Sequence, residues 1–348
     1  MESFWDGLPR PFFALAPLED VTDAAFRRLI ARYGKPDVMF TEFTSADGLV
    51  LADEKGQKKL RRKLLYSEAE RPIVAQIFSS IPEHIETASR MVAELGFDGI
   101  DINMGCPDRA VEKGGCGAAL IKNPKLAREL VRAAKRSGLP VSVKTRIGYA
   151  KDELESWLPE LLAEEPAAIT LHARTRKEMS DVPARWERVK RAVEIRDSIQ
   201  NPRGDASWVR TLIVGNGDTA DIADARKKAE GTGCDGVLLG RAVFGNPWLF
   251  ASPHNDIVSR YAPLARVEAL LEHLALFAEL LADTTPYASM KKHFKAYVSR
   301  WEGAKELRAR LMNTRSCAEA EEVVGAARGM VSMFPDLASY AREGEKRD

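Results

Sequence analysis

The chain has 348 residues, of which 45% are hydrophobic and 30% charged, and its 52 basic residues nearly balance its 51 acidic ones. This composition excludes a disordered chain, and the net charge of +1 means that any basic binding surface must be local. There is no run of about 18 apolar residues and no N-terminal export signal, so we expect a cytoplasmic protein without a membrane segment. The four scattered cysteines form no C-x-x-C pair, which argues against a zinc site and a disulfide framework, and we expect no metal.

Eight short apolar runs, rich in β-branched residues, recur along the chain. Each run is apolar on both faces, as parallel strands covered by helices must be. In chain order the runs are 12–17, 37–42, 72–78, 98–104, 140–146, 167–173, 211–217 and 235–241. The pattern therefore predicts eight parallel strands.

Helical patterns fill the intervals between these runs. The clearest ones, each ending in the glycine that is typical of a helix C-terminus, are 21–34, 81–96, 123–138 and 218–233. Eight strands alternating with helices over about 250 residues predict an α/β fold, a (β/α)8 TIM barrel. An open doubly wound sheet is the alternative, but the first run is not followed by G-x-G-x-x-G. We interpret the polar segment 194–210 as an insertion loop.

The alternation of strands and helices ends after Pro247, and from about 263 to 341 the pattern is helical throughout. We therefore predict a TIM-barrel catalytic domain over 1–250 and a C-terminal all-α helical bundle over 251–348. The segment 287–316 carries eight basic residues against two acidic ones, so it is a local basic patch. On its first helix, Lys292 and Lys295 project opposite an apolar stripe. A solvated helix face is the usual meaning of such a charge run.

Polar residues recur where the predicted strands end. In a TIM barrel the chemistry lies at the carboxyl ends of the strands. The sequence places there Gln76, Asn103, Cys106, Lys144, Arg146, His172 and Arg174. Each alone could be an ordinary buried amide, packed thiol or structural hydrogen bonder, but their convergence at one end of one barrel predicts an active site.

Two glycine-containing turns predict a phosphate site beside it. Gly215-Asn216-Gly217-Asp218 ends the seventh run, and Gly240-Arg241 ends the eighth. Loops after strands seven and eight are where TIM barrels hold phosphate, and successive backbone N–H groups can form an anion nest. A mononucleotide such as FMN fits this arrangement.

Ten segments in chain order carry a resemblance to a known family. They are LAPLEDVTDAAFR, TEFTSADGL, AQIF, DINMGCP, GGCGAALI, VSVKTRIGY, TLHARTR, GNGD, GVLLGRA and MKKHFKAYV. They span nearly the whole chain, which resembles the tRNA-dihydrouridine synthase family. The most specific of them is N-x-G-C-P, followed by a glycine-rich loop.

The resemblance implies an FMN-dependent oxidoreductase that reduces the C5=C6 bond of specific uridines in tRNA, in the D-loop, with NADPH as electron donor. It implies that Cys106 is the proton donor, that Asn103 and Arg146 hold the uracil, and that the bundle binds tRNA, where Lys292 and Lys295 would contact phosphates. The residues implied to bind FMN are Ala16, Pro17, Leu18, Gln76, Lys144, His172, Asn216, Gly217, Asp218, Gly240 and Arg241. We expect a monomer.

The position of Cys106 suits a proton donor. Reduction of uracil requires a hydride at C6 and a proton at C5, and a thiol with an unperturbed pKa of about 8.5 is mostly protonated at neutral pH. Gly105 permits a close backbone approach and Pro107 fixes φ, so the two residues would hold the thiol in place.

Two other functions stay open at this point. The first is a flavoenzyme of the dihydroorotate dehydrogenase type that acts on a free pyrimidine, and the basic C-terminal region argues against it. The second is a non-catalytic RNA-binding barrel, and the intact set of Cys106, Lys144 and His172 argues against that. Ribosomal RNA is an alternative to tRNA as the substrate.

Overall fold

The computed structural model describes residues 3–200, 210–251 and 263–331, and their strands form one parallel, nine-stranded sheet. The strands are β1 Phe12–Leu15, β2 Met39–Phe40, β3 Thr44–Ser45, β4 Ile73–Phe78, β5 Gly99–Met104, β6 Val141–Arg146, β7 Ala168–His172, β8 Leu212–Asn216 and β9 Gly236–Leu239. Each of the eight predicted runs contains one strand. The short β3, which pairs with β4, is an addition that the pattern did not predict.

The sheet closes into a barrel. Neighbouring strands follow the order β1-β9-β8-β7-β6-β5-β4-β2, with β3 beside β4. A parallel bridge between Ala14 and Val38, and a 3.1 Å hydrogen bond from the Leu15 N–H to the Val38 carbonyl, join β1 to the segment that leads into β2. The predicted (β/α)8 barrel is therefore confirmed, and an open doubly wound sheet is excluded.

Helices follow the strands as the alternation predicts. Up to residue 251 they are α1 Ala24–Gly34, α2 Ala46–Leu51, α3 Glu54–Lys63, α4 Pro82–Glu94, α5 Arg109–Lys113, α6 Pro124–Lys135, α7 Leu154–Leu162, α8 Trp186–Gln200 and α9 Ile222–Thr232. Pro82 and Pro124 occupy first-turn positions, where a missing N–H costs nothing. No helix in the described ranges is long and apolar enough to span a membrane.

Apolar side chains fill the barrel at the amino ends of the strands. The Trp5 ring centroid lies 5.7 Å from that of Phe12 and 6.5 Å from that of Phe40. The same buried cluster includes Ala168 and Leu212, which begin β7 and β8. Because this end is apolar and packed, the polar side chains of the barrel interior are concentrated at the carboxyl ends.

The predicted insertion loop at 194–210 is wrong over its first part, because α8 continues to Gln200. This part of the helix buries polar residues, so its polar composition did not indicate a helix. Arg196 is 1% exposed and pairs with Asp235 at 2.5 Å, and the Gln200 side chain donates to the Leu162 carbonyl at 3.1 Å. Residues 201–209 lie outside the described part of the chain.

The chain divides into two compact units. The first takes the described residues of Met1–Glu19 and Pro36–Ala242, and the second those of Asp20–Lys35 and Val243–Asp348. Besides α1, the second unit contains α10 Pro263–Leu280, α11 Lys291–Tyr297, α12 Ala304–Asn313 and α13 Cys317–Val331, so the predicted helical C-terminal region is present. The predicted helical pattern at 332–341 lies outside the described residues.

This division differs from the predicted boundary at residue 250. Helix α1 belongs to the second unit because it packs against α10: the ring centroids of Phe26 and His273 lie 5.0 Å apart, and Arg32 forms an ion pair with Glu272. A single boundary in the sequence cannot assign α1 to the second unit, because α1 is separated in sequence from the helix against which it packs. The assignment of catalysis to one unit and RNA binding to the other stays a prediction.

Candidate active site

A cavity of about 630 Å³ opens at the carboxyl ends of the barrel strands, within the first unit. Fourteen of the sixteen predicted site residues line it: Ala16, Pro17, Leu18, Gln76, Asn103, Cys106, Lys144, Arg146, His172, Asn216, Gly217, Asp218, Gly240 and Arg241. The other two, Lys292 and Lys295, lie on α11 of the second unit. Apart from those lysines, the structure therefore brings the predicted set together.

Strand register explains why residues so distant in sequence meet. Asn103 of β5 is the register partner of Lys144 of β6, and His172 of β7 is the partner of both Arg146 and Asn216. Register partners in adjacent parallel strands are neighbours whose side chains face the same side of the sheet, and alternate residues of a strand face the barrel interior. These five side chains therefore occupy neighbouring positions around the rim.

A chain of hydrogen bonds orients the amides below the cavity. The Gln76 amide donates to the Asp101 carboxylate at 2.7 Å, and its oxygen accepts from the Asn103 amide at 3.1 Å. Ser142 donates to the other carboxylate oxygen of Asp101 at 2.6 Å. Burial raises the pKa of Asp101 to about 6, so its carboxylate is largely ionised at neutral pH. A carboxylate can only accept, and it therefore fixes which way Gln76 and then Asn103 face.

The same chain of bonds ends at the loop that carries the thiol. The Asn103 side-chain oxygen accepts from the backbone N–H groups of Gly105 (3.1 Å) and Cys106 (2.9 Å). A Cβ on Gly105 would lie 3.2 Å from backbone atoms of Thr145, so glycine allows the close approach that the sequence predicted. Burial raises the pKa of the Cys106 thiol above its ordinary value, and the thiol is protonated at neutral pH.

Two cationic side chains flank this loop. Burial, together with the positive charge of the nearby Arg146, lowers the pKa of Lys144 to about 8. Arg146 donates to the carbonyls of Gly105 (2.8 Å), Thr175 (3.0 Å) and Met179 (3.1 Å). It thereby ties the Cys106 loop to the loop after β7, a structural task that the sequence did not reveal.

His172 is a neutral group in this setting. Burial, and then the positive charges of Lys144 and Arg146, hold the pKa of His172 well below its ordinary range. Its Nε2 lies 3.2 Å from the guanidinium of Arg174, which is consistent with an accepting nitrogen. His172 can therefore hydrogen-bond a polar ligand without adding charge to the cavity.

The turns after β8 and β9 form a charged end of the cavity. Asp218 accepts from Arg174 and, at 2.6 Å, from Arg241, and the Arg174 guanidinium beside it holds the pKa of Asp218 below its usual range. Gly217 has a φ of +127°, a conformation that favours glycine. Arg241 is 65% exposed at its side chain, so it can turn toward a bound anion.

Among the residues absent from the predicted site are Asp101, which lies beneath the cavity, and Phe43, which lines it. Arg174, which the sequence placed at a strand end without a specific role, also lines the cavity. Asp101 precedes Asn103 by two residues on β5, and Arg174 follows His172 by two. The period of two that places alternate strand residues on one face could have indicated Asp101. Phe43 lies just before the unpredicted β3, and no pattern in the sequence marks it.

The sequence matches the model of one protein family, described as "Dihydrouridine synthase (Dus)", over residues 14–330. A "Probable tRNA-dihydrouridine synthase" from Staphylococcus aureus (strain COL) is 42% identical over 325 residues, which cover 93% of this chain and 95% of the relative. A "Probable tRNA-dihydrouridine synthase 2" from Bacillus subtilis (strain 168) is 42% identical over 325 residues, with coverage of 93% and 96%. The solved structure of histamine dehydrogenase from Rhizobium sp. 4-9 matches with a TM-score of 0.49 and 15% identity, over 76% of this chain and 49% of that one.

Proposed function

This chain belongs to the dihydrouridine synthase family, and we propose that it is a tRNA-dihydrouridine synthase, which reduces the C5=C6 bond of uridine in tRNA. The observation that carries the proposal is the cavity itself: a protonated thiol, a buried lysine and a neutral histidine converge there, on Cys106, Lys144 and His172. The relatives at 42% identity, which match over nearly their whole length, bear the same name.

The cavity fits the flavin on which this family depends, and we propose FMN in particular. A volume of about 630 Å³ lies in the range of small-molecule sites. Its apolar wall includes Ala16, Pro17 and Leu18, which would contact the ring system, and Gly240 leaves ordinary van der Waals space beside Ala16. At the other end Arg241 would bind the phosphate, together with N–H groups of the turn at Asn216, Gly217 and Asp218.

Three further residues would hold the cofactor and its charge. Gln76 keeps one amide hydrogen beyond those used toward Asp101, so it can donate to the pyrimidine edge of the ring. Lys144 would stabilise negative charge near the ring, and His172 would bond the ribityl chain as a neutral partner. When bound, the flavin supplies the hydride for C6 of uracil.

Cys106 would donate the proton to C5. Its thiol is protonated at neutral pH, and its loop is fixed by Asn103 on one side and Arg146 on the other. Asn103 and Arg146 each retain N–H groups that can bond the uracil carbonyls. Because a uridine in folded RNA must leave its stack to reach such a pocket, the enzyme must also hold the RNA around it.

We further propose NADPH as the electron donor, the D-loop as the region modified, and a monomeric enzyme that acts in the cytoplasm. We propose that the second unit binds tRNA, with Lys292 and Lys295 contacting its phosphates. Both lysines are exposed on α11, opposite the buried residues Phe294, Tyr297 and Val298.

One experiment tests the proposal. The purified protein should show flavin absorbance, oxidise NADPH when given an unmodified tRNA transcript, and leave dihydrouridine at a defined position, located by mass spectrometry. Reduction of a free pyrimidine, or oxidation of dihydroorotate, in place of tRNA would identify the dihydroorotate dehydrogenase type. A protein that binds RNA but carries no flavin would be a non-catalytic barrel. A ribosomal RNA transcript in parallel decides between the two RNA classes.

A further inference from the structure

Helix α3 is a strongly basic element in the barrel unit, and nothing in the site described above uses it. Its ten residues include six basic ones and a single acidic one, and none of its side chains is buried. Lys55, Lys58, Lys59 and Arg62 follow one another at positions i, i+3, i+4 and i+7, so they share one face, which we call the α3 basic face. Leu60 points the other way, toward Gly48 of α2.

Helix α6 differs from α3 in how its basic residues are paired. Helix α6 is also rich in basic residues, but Arg128 and Arg132 form ion pairs with Glu164, and Arg136 just beyond the helix pairs with Glu86. In the described part of the chain, Lys55 and Lys59 form no ion pair. Lys55 and Lys59, which are exposed and form no ion pair there, can therefore offer their charges to an anion.

The C-terminal end of α3 lies at the rim of the cavity. Lys63 forms an ion pair with Glu19, and its ammonium lies 5.7 Å from the ring centroid of Phe43; both partners line the cavity. At a rise of about 1.5 Å per residue, the α3 basic face then extends from about 1.5 to 12 Å along the helix from Lys63. The α3 basic face therefore begins next to the rim of the cavity and extends away from it along the helix.

We propose that the α3 basic face binds the phosphodiester backbone of the RNA substrate beside the uridine that enters the cavity. This inference rests on the proposed function and adds to it a second RNA contact, on the barrel unit. Lysines compensate phosphate charge without reading sequence, and they displace condensed counterions, so binding depends on salt. The contact therefore supplies affinity and register, while the cavity selects the base.

The test compares two double variants that have the same charge change. Lys55→Glu with Lys59→Glu reverses two charges of the α3 basic face. Lys190→Glu with Lys227→Glu is the matched control, because both lysines are exposed on α8 and α9, which follow strands across the barrel. The affinity of each variant for unmodified tRNA is measured at several salt concentrations, together with flavin content, thermal midpoint and NADPH-driven flavin reduction. Lys55→Gln with Lys59→Gln serves as a milder second variant.

The α3 reversal should weaken tRNA binding about tenfold or more and flatten the slope of log K against log salt by about 1.5, as expected for two lost phosphate contacts. The glutamine pair should lie between it and wild type, and the control should bind as wild type does. Flavin content and flavin reduction should not change. Equal affinity and parallel slopes for wild type and the α3 variants would overturn the inference, while a wild type that neither binds nor reduces tRNA would instead overturn the proposed function.

Discussion

At the scale of single residues, one buried carboxylate determines how the thiol is presented. Asp101 can only accept, so it turns the Gln76 amide one way, and Gln76 in turn sets Asn103. Asn103 then presents its oxygen to the N–H groups of Gly105 and Cys106. The position of Cys106, the proposed proton donor, thus depends on Asp101, which acts on it through Gln76 and Asn103.

The first prediction concerns the thiol. Cys106→Ala should slow uridine reduction by roughly the 10² to 10⁴ that is typical of losing a general acid. Flavin content and flavin reduction by NADPH should be normal, because the fold around the loop is held by Asn103 and not by the sulfur. Single-turnover kinetics with tRNA measure this step directly. Cys116→Ala is the control, since Cys116 is buried and does not line the cavity, and near-normal turnover by Cys106→Ala would refute the assignment.

The second prediction concerns two cations at opposite ends of the cavity. Lys144→Ala and Arg241→Ala should each lower flavin occupancy of the purified protein, since one removes a charge from the proposed ring end of the cavity and the other from the proposed phosphate end. Arg241→Lys should retain more flavin than Arg241→Ala because a positive charge is kept. Absorbance ratios after dialysis measure occupancy, and full occupancy in both alanine variants would mean that the cofactor is held differently.

At the scale of elements, the strands could be predicted and their helical partners only in part. Eight apolar runs sufficed for the barrel, because a parallel strand buried on both faces has a distinctive composition. The end of α8 was missed since its buried face carries Arg196 and Gln200, whose charges and amides are satisfied by residues far along the chain. The sequence did not indicate that α1 belongs to the second unit, because α10, against which it packs, begins more than 200 residues later.

The candidate site and its surroundings likewise include residues that the sequence predicted and residues that it did not. Residues in strand-end motifs, such as Asn103 and Lys144, were predictable because a barrel gathers strand ends at one rim. The basic helix α3 was not, since a polar helix without a buried face has no periodic signal, and its place at the rim depends on contacts of Lys63 with Glu19 and Phe43.

The third prediction separates the two lysines of α11. Lys292 is paired with Asp20 at 2.8 Å, whereas Lys295 is exposed and forms no ion pair in the described ranges. An ammonium already neutralised by a carboxylate releases fewer counterions when a phosphate approaches. Lys295→Glu should therefore weaken tRNA affinity and flatten its salt dependence more than Lys292→Glu does. Titrations of both single variants at several salt concentrations decide this, and equal loss from both would show that the Asp20 pair opens on binding.

At the scale of the whole molecule, the second unit should be sensitive to acid. The second unit buries His273 and His293, whose ring centroids lie 4.6 Å apart, and burial lowers the pKa of His293 to about 4 and that of His273 well below its ordinary range. His273 Nε2 and His293 Nδ1 are buried without a hydrogen-bond partner in the described part of the structure. Both rings are therefore neutral in the folded unit, and a proton on either would be poorly accommodated.

The sign of the effect follows from these values. An unfolded histidine takes up a proton near pH 6.5 and the folded His293 only near 4, so the unfolded state gains stability between these pH values. For His293 alone the effect amounts to at most about 3 kcal/mol. Asp23 acts in the opposite direction, since burial raises its pKa to about 6 and the folded state then holds the extra proton. Because His273 and His293 both destabilise the folded unit in acid and Asp23 alone stabilises it, we expect the second unit to lose stability as the pH falls.

The fourth prediction is that the second unit loosens as the pH falls from 6.5 toward 4. Hydrogen exchange of α10 peptides, corrected for the intrinsic effect of pH, should accelerate over this range. His293→Phe should remove much of this acid sensitivity, because a phenyl ring can pack among Phe26, Phe244 and His273 without a proton to accept. The variant should also be no less stable than wild type at pH 7, since it replaces a buried nitrogen that has no partner. An α10 exchange profile that does not depend on pH, or one that is identical in the variant, would show that the histidine pair does not control the stability of this unit.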